Sequence, residues 1–354
     1  MKMPRLFAEP KAKAPAKASK PRIVNLALQG GGAHGAFTWG VIDHLLEDGR
    51  LDFEAVSGTS AGALNAVVLA DGLSRGGSAE ARARLEAFWT GVSRAGTIGG
   101  ARDLVQSWMS FWSVPTFRPS QWFDMMSNLG SPYGFNPHNI NPLRDLVEGL
   151  VDFERVRKAA RPKLFISATN VRNGKIKVFT DGEVTADAVM ASACLPYLFQ
   201  TVIVDGEPYW DGGFMGNPAL FPFFTETKAE DILLVQINPI ERNAVPTGTK
   251  EILERMSEIT FNASLLREFR AIDFVNRMLD EGRLDSKRYR KNRVHRIDGG
   301  QALERFSASS KFDTSLSFFE QLRDAGREAA RDWLNAHFAD VGVRGTVDLR
   351  SQFS

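Results

Sequence analysis

Ser60 and Asp211 are the two side chains whose settings in this sequence suggest chemistry. Ser60 lies in Gly58-Thr59-Ser60-Ala61-Gly62. Placed between a strand and a helix, Gly-x-Ser-x-Gly makes a turn tight enough to lift the serine above a sheet edge, with small residues required on either side. Val56 precedes the turn, and Ala63, Leu64, Ala66, Val67, Val68 and Leu69 follow it, which is the apolar strand–turn–helix context the motif needs. At a helix N-terminus the hydroxyl would sit among amides and a dipole that favour developing negative charge. The pentapeptide is short, however, and an ordinary βα turn with serine as helix cap has the same spelling.

A second loop bears on the first. Gly30-Gly31-Gly32-Ala33-His34-Gly35 follows the apolar run Arg22–Leu28. Consecutive glycines cost backbone entropy and suit a backbone that must approach a ligand closely. Beside a nucleophilic serine, Gly30, Gly31 and Gly32 would supply an oxyanion hole. The same loop satisfies Gly-x-Gly-x-x-Gly, the dinucleotide pattern, which needs a carboxylate at the end of the next strand. Asp52 and Glu54 fall at the start of that strand instead.

A serine also needs a proton acceptor. Of the five histidines, His34, His44, His138, His295 and His337, none falls in a loop after a late strand. His295 belongs to the basic run Arg288–Arg296 and is expected at the surface. Asp211-Gly212-Gly213 is the other candidate. In isolation an aspartate before two glycines reads as a β-turn. Close to Ser60, a buried Asp211 with its pKa raised toward neutrality could take the proton directly.

Taken together and in this order, the glycine loop, the elbow at Gly58–Gly62 and Asp211–Gly213 resemble the patatin-like phospholipase family. Ala191-Ser192-Ala193-Cys194-Leu195-Pro196 is similar to the family's helix-to-loop segment ahead of the aspartate, and Asn217-Pro218 to its continuation. The resemblance spans about Ile23–Asn238. It implies a three-layer α/β/α sandwich with a mostly parallel sheet, a Ser60–Asp211 dyad, a lipid ester substrate, an acyl-enzyme and no metal or organic cofactor. A lipid-binding or regulatory protein on the same scaffold is the alternative it leaves open. The family often carries Arg or Lys where this chain has His34, a side chain that would aid an oxyanion only when protonated.

The elements expected to position these residues follow from pattern. Strands are expected at Arg22–Leu28, Phe53–Val56, Lys163–Thr169, Lys175–Thr180, Thr201–Val204 and Ile232–Ile237. Helices are expected at Ala61–Leu73, Thr185–Ala193, Glu251–Leu279 and Leu316–Phe338, the third on helical apolar spacing. Strand–loop–helix occurring twice at the start marks an α/β protein. The expected organisation is a basic tail over 1–21, a catalytic domain over 22–240 and a mainly helical extension over 241–354 packed against it. Within the catalytic domain, 103–142 is an irregular insertion rich in aromatic residues. Its Trp108, Trp112 and Trp122 would line an acyl groove or lid, or else pack as core beneath a loop.

Composition narrows the function classes. The 354 residues are 43 % hydrophobic and 24 % charged with a net charge of +2, so no strong field points to nucleic acid. One cysteine, Cys194, excludes a disulfide framework. No run is long and apolar enough for a membrane helix, and the N-terminus lacks a secretory apolar stretch. The expected location is the cytoplasm, with the lysine-rich tail as a solvated arm or a weak electrostatic hold on an anionic membrane surface. Composition leaves the oligomeric state open.

Overall fold

A computed structural model describes residues 20–96, 131–196, 198–242, 244–300, 303 and 315–353. Eight strands among these form one sheet: β1 (Arg22–Leu28), β2 (Leu51–Gly58), β3 (Lys163–Asn170), β4 (Ile176–Thr180), β5 (Val202–Val204), β6 (Glu207–Asp211), β7 (Asp231–Gln236) and β8 (Arg293–Asp298). Their order is β5-β6-β3-β2-β1-β7-β8, with β4 also paired to β3. The five strands β3, β2, β1, β7 and β8 run parallel, while β4, β5 and β6 form an antiparallel flank.

The central strands are apolar on both faces, as a sheet covered on both sides demands. Val24, Leu26 and Leu28 of β1 and Leu233 and Val235 of β7 face one core. Ala27 of β1 and Ile232 and Leu234 of β7 face the other. The first core is filled by helices α1 (Gly35–Asp48), α2 (Ala61–Ala95) and the last long helix, Leu316–His337. The second is closed by the short helix Phe221–Glu226 and by the long helix Thr249–Asp280, through Leu265, Phe269 and Ile272. The fold is therefore a three-layer α/β/α sandwich. In chain order the intervening helices are α3 (Pro142–Leu150), α4 (Phe153–Lys158), α5 (Ala186–Ser192), α6 (Phe221–Glu226), α7 (Thr249–Asp280) and α8 (Leu316–His337).

Element boundaries differ from the sequence reading in informative places. Helix α2 continues past Leu73 to Ala95 through a kink at Gly76 and Gly77, where φ/ψ leave the helical region. Strands β6 and β8 were not expected. Pro208 inside β6 has no N–H and argues against a paired strand. In β8, the polar residues Arg293, His295, Arg296 and Asp298 break up Val294 and Ile297 without a period of two and disguise a strand paired along its whole length with β7. His295, expected at the surface, is fully buried in β8, because Asp231 of β7 accepts from its ring.

Candidate active site

Register alone brings Ser60 and Asp211 to one edge of the sheet. Gly58, the last residue of β2, pairs with Ile166 of β3, and two residues on Ala168 pairs with Asp211 at the end of β6. The chain leaves β2 through Thr59 and enters α2 at Ala61, with Ser60 between them at φ 55°, ψ −120°. Such a conformation is costly for a residue with a Cβ and persists only where its surroundings enforce it. Close packing enforces it here: a Cβ on Gly62 would fall 2.2 Å from the Leu28 carbonyl oxygen, and one on Gly58 2.5 Å from that of Gly62. The Ser60 N–H donates to Ser192 Oγ at 2.9 Å, tying the turn to the end of α5.

The segment after Asp211 is stitched onto the same turn. Thr59 Oγ1 donates to the Gly216 carbonyl and Ser57 Oγ to that of Ala219, both at 2.6 Å. Gly212 must be glycine, since a Cβ there would lie 2.1 Å from the Ser167 carbonyl oxygen. The backbone of Asp211 is fixed at both ends: its N–H donates to the Cys194 carbonyl at 2.8 Å, and its own carbonyl accepts from Thr169 Oγ1 at 2.9 Å.

The carboxylate itself is half satisfied. Oδ1 accepts the Gly213 N–H at 2.7 Å, while Oδ2 and the Ser60 hydroxyl, both buried, complete no hydrogen bond among the described residues. Burial pushes the Asp211 pKa up to about 7, against the opposing pull of the Gly213 amide and the nearby Ser60 hydroxyl. The hydroxyl is thus close enough to act on the carboxylate without closing a full bond to it. A carboxylate with a free oxygen and a pKa near neutrality can accept a hydroxyl proton and return it.

The glycine loop arches over the serine. A Cβ on Gly30 would lie 2.8 Å from Ser60 Cβ, so glycine is needed for the approach. The Gly30 N–H is given to Asn217 Oδ1 at 2.7 Å. Gly30 therefore shapes the loop without offering an amide to a ligand. The N–H groups of Gly31 and Gly32 donate to no group among the described residues. Gly31 is buried under Ile237, and Gly32 takes φ 57°, where glycine is favoured. His34 closes the single 3₁₀ turn after the loop and is half buried.

Three other histidines are engaged elsewhere: His44 with Glu47, His295 with Asp231 and His337 with Asp340. No cluster of potential metal ligands occurs among the described residues. Trp108, Trp112 and Trp122 lie outside the described residues. The sequence reading did not single out Ser192 or Gln29 as contributors to the site. Gln29 carried a usable signal, as a lone amide between an apolar strand and a glycine loop. No helix among the described residues is long and apolar enough to cross a membrane.

A mostly parallel three-layer sandwich with a serine on a strained strand-to-helix elbow, a glycine loop above it and a buried aspartate on the same edge defines a patatin-type α/β fold. The chain belongs to the patatin-like phospholipase family, whose model matches residues 26–224, more than half of the sequence. Among solved structures it is similar to VipD from Legionella pneumophila, with 16 % identity, 90 % of this chain and 68 % of that chain covered, and a TM-score of 0.42. It is also similar to ExoU of the type III secretion system of Pseudomonas aeruginosa, in its heterodimeric complex with SpcU. There the identity is 18 %, 90 % of this chain is covered and the TM-score is 0.36. The chain spans about half of ExoU, 53 % of that chain. Comparison with curated proteins finds no match.

Proposed function

We propose that this protein is a lipid acyl hydrolase of the phospholipase A type, with Ser60 as nucleophile and Asp211 as its general base. Membership of a lipid-hydrolysing family supports the substrate class. One observation carries the mechanism: beside a serine on a strained elbow, a fully buried aspartate keeps one oxygen free and has its pKa pushed up to about 7.

In this reading Ser60 Oγ attacks the ester carbonyl carbon while Asp211 Oδ2 takes the hydroxyl proton. The carbonyl oxygen becomes an oxyanion facing the Gly31 and Gly32 amides and the N-terminus of α2. The carbonyl–alkoxy bond then breaks, and Asp211 returns the proton to the departing alcohol. Asp211 next deprotonates a water molecule, which attacks the acyl-Ser60 carbonyl; the bond from the acyl carbon to Ser60 Oγ breaks, Asp211 returns the proton to Oγ, and the fatty acid leaves. A two-residue unit needs no histidine, consistent with His44, His295 and His337 being engaged elsewhere.

Residues 22–240 carry the catalytic residues in this reading, and 241–354 is an extension that packs on them while adding β8 to the same sheet. The aromatic stretch 103–142, with Trp108, Trp112 and Trp122, is assigned to the acyl groove, and the basic tail to contact with an anionic bilayer from the cytoplasmic side. The deciding experiment measures fatty acid release from phospholipid vesicles, and turnover of a short p-nitrophenyl ester, by wild type and Ser60→Ala. Turnover confined to wild type supports the proposal. Vesicle binding by both proteins without turnover by either identifies a non-hydrolytic lipid binder and refutes it.

A further inference from the structure

The peptide joining Gly30 to Gly31 is held by a side chain from beyond the stretch matched to the family. Asn238, two residues past β7, donates from Nδ2 to the Gly30 carbonyl at 2.8 Å. Its own backbone N–H donates to Gln29 Oε1 at 3.0 Å. Gln29 Nε2 in turn reaches Asn262 Oδ1 of α7 at 3.1 Å. With Asn217 Oδ1 on the Gly30 N–H, the peptide units on both sides of the Gly30 Cα are pinned by carboxamides.

This pinning has a directional consequence. A trans peptide points its C=O and N–H in opposite directions. Holding the Gly30 oxygen toward Asn238 therefore turns the Gly31 N–H away from Asn238. That amide is buried and donates to no described group. An unpaired buried donor costs about 1–3 kcal/mol, so a three-glycine loop would relax to satisfy it unless restrained. Asn238 supplies the restraint from a half-buried position, at the rim of the loop rather than in its core.

We propose that Asn238 is a positioning residue that aims the Gly31 N–H at the substrate's carbonyl oxygen. The inference rests on the Ser60–Asp211 reading and deepens it. It places part of the oxyanion site's definition in the segment after β7, bridged through Gln29 to α7.

Asn238→Asp tests this, because the isosteric carboxylate cannot donate to the Gly30 oxygen. On a short p-nitrophenyl ester, kcat should fall about tenfold to a hundredfold, less than the full loss of an oxyanion donor. KM should stay within about twofold, the signature of an interaction made only in the transition state. In the uncharged Asn238→Ala the pH midpoint set by Asp211 should not move, and both variants should still unfold cooperatively, with some loss of thermal stability from the Gly30 oxygen's missing partner. Asn238→Ala should reproduce the pattern, and decides the matter if the Asp variant does not fold. A kcat within about threefold of wild type, or a loss carried equally by KM, overturns the inference while leaving the hydrolase reading intact. A wild type no faster than Ser60→Ala overturns both.

Discussion

Two buried aspartates at opposite ends of the sheet have opposite fates. Asp231 opens β7, and both of its oxygens are occupied. Oδ1 accepts from Arg293 Nε at 3.0 Å, His295 Nε2 at 2.9 Å and the Gly342 N–H at 2.9 Å, and Oδ2 accepts from Arg293 at 2.9 Å. Burial alone would raise its pKa, but the bonds from His295 and Arg293 outweigh burial and hold it well below the usual carboxylate range. Asp211 closes β6 with one backbone amide on Oδ1 and no described group on Oδ2, and burial lifts its pKa to about 7. Two carboxylates with almost no exposed surface, Asp211 the deeper, thus become an anion in one place and a group that titrates near neutrality in the other. What separates them is the depth of burial and the number and charge of the donors supplied, and the Asp211 oxygen left without one lies near the Ser60 hydroxyl.

The contrast is most sharply tested by removing each carboxylate. Asp211→Asn should cut kcat/KM for ester hydrolysis on the order of 10⁴-fold with the fold retained, because the amide can still accept the Gly213 N–H. Asp231→Asn should leave kcat/KM unchanged but lower stability by about 3 kcal/mol in denaturant titrations, since Arg293 loses its buried partner. A silent Asp211→Asn, or an inactive Asp231→Asn that remains folded, would break the comparison.

Smaller effects sharpen it. In the proposed mechanism Asp211 accepts a proton only when ionised, so kcat/KM should rise with pH through a midpoint near 7. Its raised pKa has the opposite consequence for stability. The folded state holds a proton that the unfolded chain has already released above about pH 4, so stability falls as pH rises toward 7. Asp211→Asn should therefore melt higher than wild type at pH 8, with the gap closing toward pH 4. For Asp231 the sign reverses. Its contribution is full above the unfolded-state pKa near 4 and is lost on acidification through its depressed folded value. The smallest effect is expected from His295→Gln, which should lower the melting temperature modestly and leave turnover unaltered.

Much of this site was legible because its residues obey local rules. Glycines at 30, 58, 62 and 212 are dictated by backbone approaching within van der Waals distance, and such demands are written directly in the sequence. The buried strands β1, β3 and β7 were legible as apolar runs. The elements that escaped notice owe their burial to partners distant in sequence. β8 reads as a basic surface run until Asp231, 62 residues away from Arg293, neutralises it. β6 is disguised by Pro208. The carboxamides that shape the glycine loop, Asn217, Asn238 and Asn262, come from three separate segments and have no spacing to betray them. The family resemblance brought Asn217 forward, but its bond to Gly30 required the fold.

The central claim, a Ser60 nucleophile activated by Asp211, is tested most directly by peptide mapping after reaction with a serine-directed fluorophosphonate. Wild type should carry the label on Ser60, and Asp211→Asn should label there at a greatly reduced rate. Label on another serine, or equally fast labelling of Ser60 in Asp211→Asn, would contradict the account.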